Sequence, residues 1–180
     1  HHVAIKVLLA GLGPEALHRF RQERQILARL DHPNIARLLD GGTTDDGLPY
    51  LVMEYVDGLP LSKLLQKHGP LPPDRAIRIM MMVSRAVSNA HRHGVIHRDL
   101  KPANVLLTQD DPPTAKIADF VMARAASFAN ADRRAMTVLG TPQYMAPECL
   151  DPLAVDARTD LYALGCILHE MATGAPPYGG

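Results

Sequence analysis

Residues 97–104 read His97-Arg98-Asp99-Leu100-Lys101-Pro102-Ala103-Asn104, directly after the apolar pair Val95-Ile96. A carboxylate, an ammonium, a guanidinium and a carboxamide are concentrated in this one stretch. Groups of this kind carry a heavy desolvation cost unless each is paired, so the fold must leave the segment open to water or to a ligand. Taken as chemistry, Asp99 is a base for a hydroxyl, Lys101 a cation for a phosphate, and Asn104 an oxygen ligand for a hard metal. Phosphoryl transfer needs those parts.

A chain of 180 residues can bury a sizeable core as one domain or two small lobes. Its 19 lysines and arginines balance 19 aspartates and glutamates, so the basic excess of a nucleic-acid-binding protein is absent. Cys149 and Cys166 lie far apart without a CxxC spacing, which points to neither a disulfide scaffold nor a zinc site. No apolar run reaches membrane-spanning length and no signal peptide opens the chain, so the sequence reads as soluble and cytoplasmic. The start, His1-His2 running straight into a strand, and the turn-like Pro176–Gly180 end read as cuts in a longer protein.

Residues 3–9 pattern as a strand, and Pro14 opens an amphipathic helix through Leu30 that the Asp31-His32-Pro33-Asn34 turn stops. Strands are expected at Ile35–Asp40 and Pro49–Val56. After a composition shift at Asp57-Gly58, helices are expected at Leu61–Lys67 and from Pro72 through His93. The second is apolar around much of its circumference, as a central core helix would be. Short strands at Val105–Leu107 and Ala115–Ala118, a long irregular segment over 119–148, and a helix at Ala157–Thr173 complete the pattern. An irregular segment of that length within a compact domain is usually functional.

Six motifs stand in series: V-A-I-K at 3–6, a helix carrying Glu23, H-R-D-L-K-P-A-N at 97–104, D-F-V at 119–121, G-T-P-Q-Y-M-A-P-E at 140–148, and D-L-Y-A-L-G at 160–165. Their order and spacing resemble the eukaryotic-type Ser/Thr protein kinases, including their bacterial members, over essentially the whole chain. The resemblance implies an α+β, two-lobed fold. Residues 1–56 would form a partial small lobe and hinge, and residues 57–180 a partial larger lobe with the catalytic loop and activation segment.

The same resemblance implies a role for each residue. Asp99 would accept the proton of the substrate hydroxyl, and Lys101 would stabilise charge on the transferring phosphoryl group. Asn104 and Asp119 would ligate magnesium. ATP would be bound by Ala4 and Lys6, by Glu23 as the partner of Lys6, by Met53 as gatekeeper, by Glu54 and Val56 of the hinge, and by Leu106. Arg98 marks kinases whose activation segment is ordered by a phosphate, with Thr137 and Ser127 as candidate acceptors; Thr141 would contact Asp99 and Lys101. His97, Phe120, Glu148 and Asp160 would be structural, with Asp160 pinning the backbone of the catalytic loop and the usual arginine partner of Glu148 lying beyond Gly180. His91 and His93 read as the polar end of the long helix, and Met80-Met81-Met82 as core filling.

The implied activity is transfer of the ATP γ-phosphate to protein serine or threonine, with self-phosphorylation among the expected partners and no nucleic acid. Two departures stand out. Val121 occupies the position of the family's glycine, where a β-branched residue resists torsions that glycine permits, so altered switching of this segment is expected. No glycine-rich loop precedes Val3, so the 180 residues alone are expected to be inactive. A pseudokinase on the same fold is the first rival reading, and a small-molecule phosphotransferase the second.

Overall fold

Among the described residues, two three-stranded antiparallel sheets and four helices are arranged as a β-sheet lobe followed by a helical lobe, an α+β architecture. The computed structural model describes residues 2–8, 14–120, 142–151 and 154–178, without the side chains of Pro14, Ala16, Arg19 and Glu23. In the first sheet β1 (Val3–Val7) and β2 (Leu38–Thr43) flank β3 (Pro49–Glu54), with α1 (Pro14–Leu27) between β1 and β2 in the chain. The second sheet runs β4 (Gly58–Pro60), β5 (Val105–Thr108), β6 (Ala115–Ile117). The helices α2 (Leu61–His68), α3 (Pro73–Arg92) and α4 (Ala157–Thr173) build the rest.

Local sequence explains the helix ends. Pro73 opens α3, where its missing N–H is no loss, and Gly94 beyond its end adopts φ +73°, a left-handed torsion natural to glycine. Asp156 caps α4 by accepting from the Arg158 N–H at 2.8 Å, and Gly174 closes it at φ +83° with its N–H on the Glu170 carbonyl. α3 turns Ala76, Ile79, Val83, Ala86, Val87 and Ala90 inward, while α4 contributes the fully buried Ile167 and Met171. Burying each large apolar side chain stabilises the fold by about 1.5–3 kcal/mol, so this pair of helices is the main core of the helical lobe.

Three elements differ from the sequence expectation. The strand expected at Ile35–Asp40 is divided: β2 starts only at Leu38, while Ile35 is buried in a parallel bridge to Ile117 of β6. Ala36 N–H donates to the Ile117 carbonyl at 2.9 Å and Ile117 N–H to the Asn34 carbonyl at 2.8 Å, so this short segment joins one sheet to the other. α1 stops at Leu27 rather than Leu30, its last residues tightening into turns with Arg29 N–H on Ile26 and Leu30 N–H on Leu27. β4 was not foreseen. Gly58 makes it possible, because a Cβ there would lie 2.5 Å from the Leu107 carbonyl oxygen. Val121, Ser127, Thr137 and Thr141 lie outside the described residues. Among the described residues no helix is long and apolar enough to cross a membrane.

Candidate active site

Asp160, at the first turn of α4, has a side chain with no exposure to solvent and organises the loop that precedes β5. Its Oδ2 accepts from His97 N–H at 2.9 Å and pairs with His91 Nε2 at 2.7 Å; its Oδ1 accepts from Arg98 N–H at 2.8 Å. Burial pushes this carboxyl up, but the hydrogen bonds from His91, His97 and Arg98 outweigh it and hold the group below its ordinary value. Arg98 carries φ +66°, a torsion that costs a non-glycine residue energy and persists here because the carboxylate fixes the N–H groups of both His97 and Arg98. The His97 ring is fully buried. Its Nε2 donates to the Ala118 carbonyl at 3.0 Å, and its edge meets the Phe120 ring at 4.7 Å and 65°. The loop is thereby fastened to the segment that carries Asp119.

Asn104 ends the single turn Pro102–Asn104 and is buried. Its Nδ2 donates to the Asp99 carbonyl at 2.8 Å, and its own carbonyl accepts from Ala118 N–H at 2.8 Å. The carboxamide therefore has a fixed orientation, with Oδ1 as its remaining acceptor. Asp99 and Lys101 meet directly, Nζ to Oδ2 at 2.8 Å, with side chains 32% and 22% exposed. Asp119 adopts φ +65°, and its Oδ1 lies 3.0 Å from Lys6 Nζ on β1. An ammonium of the first sheet thus reaches the carboxylate that follows the second.

The expected ATP-binding residues are placed as follows. Ala4 lies opposite Met53 in the β1–β3 register. Met53 lines a pocket with Leu27, Leu38, Asp119 and Phe120. Val56 is half-buried in the connection after β3, and Leu106 stands on the half-exposed face of β5. Glu54 ends β3 with its carboxylate on Lys116 and on the Arg37 N–H. Glu23 falls on α1, but its side chain lies outside the described residues, and the partner described for Lys6 is Asp119. Glu148 accepts from the Thr159 hydroxyl at 3.1 Å, within the described chain.

Sequence reasoning missed two contributors. His91, expected to be part of a polar helix end, belongs instead to the Asp160 network; only His93 fits that expectation, bonding the Asn89 carbonyl at the surface. The available signal was its place one turn after the fully buried Val87, a position where an imidazole needs a polar partner. Tyr144, within the 140–148 motif, donates to the buried Glu170 of α4 at 2.5 Å. Burial and then this hydrogen bond push the phenol well above its ordinary range. The pair ties the segment after residue 141 to the core helix.

A family model described as the protein kinase domain matches residues 1–180. Serine/threonine-protein kinase PknB of Mycolicibacterium smegmatis is 45% identical over 184 residues, covering 99% of this chain and 29% of its own length. A probable serine/threonine-protein kinase of Corynebacterium efficiens is 40% identical, with 99% and 28% covered. Among solved structures, the Mycobacterium tuberculosis PknI kinase domain matches with a TM-score of 0.78 at 34% identity, over 98% of this chain and 66% of that one. Rad53 in complex with AMP-PNP matches with a TM-score of 0.79 at 31% identity, over 99% and 43%. The chain therefore spans under a third of the length of these curated relatives. Matched along its whole length by the family model and across 99% of it by such relatives, the chain belongs to the protein kinase domain family.

Proposed function

We propose that this chain is the ATP-binding and catalytic part of a Ser/Thr protein kinase, transferring the ATP γ-phosphate to protein serine or threonine hydroxyls with Mg²⁺. The observation that carries the reading is the convergence of Asp99, Lys101, Asn104, Asp119 and Lys6 through contacts of 2.8–3.0 Å. In this reading residues 1–56 are the small lobe and hinge and residues 57–180 the larger lobe, working in the cytoplasm. The AMP-PNP held by Rad53 supports ATP as the nucleotide.

Asn104 Oδ1 and the Asp119 carboxylate are hard oxygen donors, and Mg²⁺ typically takes one or two such protein ligands while keeping waters and phosphate oxygens. The donor set fits the ion. Bound there, it supplies charge neutralisation for the phosphates. Lys6 brings a positive charge from β1 to the phosphate end of the cleft, and its ammonium and the Asp119 carboxylate are each about a third exposed and free to exchange partners. Asp99 orients the substrate hydroxyl and accepts its proton. Lys101, already 2.8 Å from Asp99, holds a cation beside the position where charge develops. Little covalent work falls to the protein, so positioning dominates. Arg98 and an acceptor at Thr137 would make the activation segment responsive to phosphorylation, by the protein itself or by another copy, and Thr141 would contact Asp99 and Lys101.

Val121 favours a second reading, a nucleotide-binding pseudokinase without turnover. One experiment separates them. The full-length protein, given γ-labelled ATP and a generic protein substrate, is expected to label serine and threonine, and its Asp99→Asn form is expected not to. Nucleotide binding with no transfer by the wild type would select the second reading.

A further inference from the structure

Lys116 belongs to none of the catalytic motifs, yet its ammonium joins the second sheet to the end of the first. The β5–β6 register sets it directly opposite Leu106, so both side chains leave the same face of the sheet. That face is the open one: Val105, Leu107, Ala115 and Ile117 are buried on the other. Lys116 Nζ donates to Glu54 Oε1 at 2.7 Å, with side chains only 18% and 30% exposed. Glu54 Oε2 accepts from the Arg37 N–H at 3.2 Å, and Glu54 N–H donates to the Arg37 carbonyl at 2.8 Å. The carboxylate that ends β3 is thus engaged on both oxygens, one by Lys116 of the second sheet and one by Arg37, just before β2. Backbone bonds from Ala36 to Ile117 and from Ile117 to Asn34 stitch the same junction.

Building on the ATP-binding reading above, we propose that Lys116 is a positioning residue for the nucleotide site. By holding Glu54 it fixes the end of β3 and the 54–56 backbone relative to Leu106, and so sets the affinity for ATP. The pair is remote from the residues that handle the phosphate. Loosening it therefore weakens the ground state and the transition state alike, which raises KM and leaves kcat at saturating ATP unchanged. A half-buried ion pair of this kind is worth up to about a fivefold change in affinity.

The test titrates ATP onto full-length wild type, Lys116→Gln, Lys116→Arg, Glu54→Gln and the Lys116→Gln/Glu54→Gln double variant, with kcat, KM and the unfolding midpoint measured on each. Lys116→Gln and Glu54→Gln are each expected to weaken ATP binding by about two- to fivefold. The double variant is expected to be no weaker than either single one, and Lys116→Arg to recover most of the affinity. Wild-type affinity in Lys116→Gln, or additive losses in the double variant, would overturn the proposal alone. A fall in kcat and midpoint with KM unmoved would mark a merely structural pair and would also overturn it. Absence of ATP binding by the wild type would instead bring down the functional reading and this proposal with it.

Discussion

Asp160 of α4 grips the start of the loop that carries Asp99, and the fold treats these two carboxylates in opposite ways. Asp160 is wholly buried, and its oxygens take three donors, two of them backbone N–H groups that cannot move away. Asp99 is about a third exposed and faces Lys101, an ammonium on a flexible stem. Lys6 and Asp119 repeat that second arrangement. Fixed donors make a carboxylate part of the framework, whereas a flexible cation can leave for a phosphate when one arrives. The loop therefore has a rigid end that holds Arg98 in its strained torsion and an adaptable end to which the proposed function assigns the chemistry.

The largest effect should come from the rigid end. Asp160→Ala leaves two backbone N–H groups and His91 without their acceptor, and a loss of about 3–5 kcal/mol in folding stability is expected by denaturant unfolding. A value below 1 kcal/mol would erase the contrast between the two ends. Next in size, Tyr144→Phe removes the hydroxyl that satisfies buried Glu170, with an expected cost of about 1–3 kcal/mol. Smallest is Lys101→Met, which breaks a partly exposed ion pair and should change stability by less than about 1 kcal/mol while impairing turnover.

Acid should distinguish the two ends as well. Burial acts to raise the Asp160 carboxyl, but the hydrogen bonds of His91, His97 and Arg98 prevail, so its folded pKa lies below the ordinary 3.8. The folded state then binds fewer protons than the unfolded one, and the stability this group contributes is complete above that value. It is lost as the pH falls through the lower folded pKa. Unfolding followed from neutral pH downward should show this contribution flat to about pH 4 and falling below, with the fall reduced in Asp160→Asn.

What could be read in advance follows the same division. The residues to which the proposed function assigns chemistry, Asp99, Lys101, Asn104 and Asp119, stand in motifs that could be picked out by their order and spacing along the chain. The helix at Ala157–Thr173 was legible because its apolar pattern and its ends coincide, with Asp156 as cap and Gly174 as stop. Of the contacts that hold those residues in place, the Asp160 carboxylate on the loop backbone was expected from the resemblance, whereas its side-chain partner and the other long-range pairs were not. His91 and Asp160 are 69 positions apart, Glu54 and Lys116 62, and Tyr144 and Glu170 26, so no local pattern links them. The strand error at Ile35 has the same origin: the mostly apolar run Ile35–Leu39 looks continuous, but β6 takes its first part and β3 its second. Pairing across the fold decided these points, over local propensity.

The division of labour within the loop is tested most directly by measuring phosphoryl transfer and thermal unfolding together on full-length Asp99→Asn. Turnover should fall by about a hundred- to ten-thousand-fold while the unfolding midpoint stays at the wild-type value. Turnover near the wild-type rate, or a midpoint lowered as far as that of Asp160→Ala, would contradict the assignment of chemistry to one end and anchoring to the other.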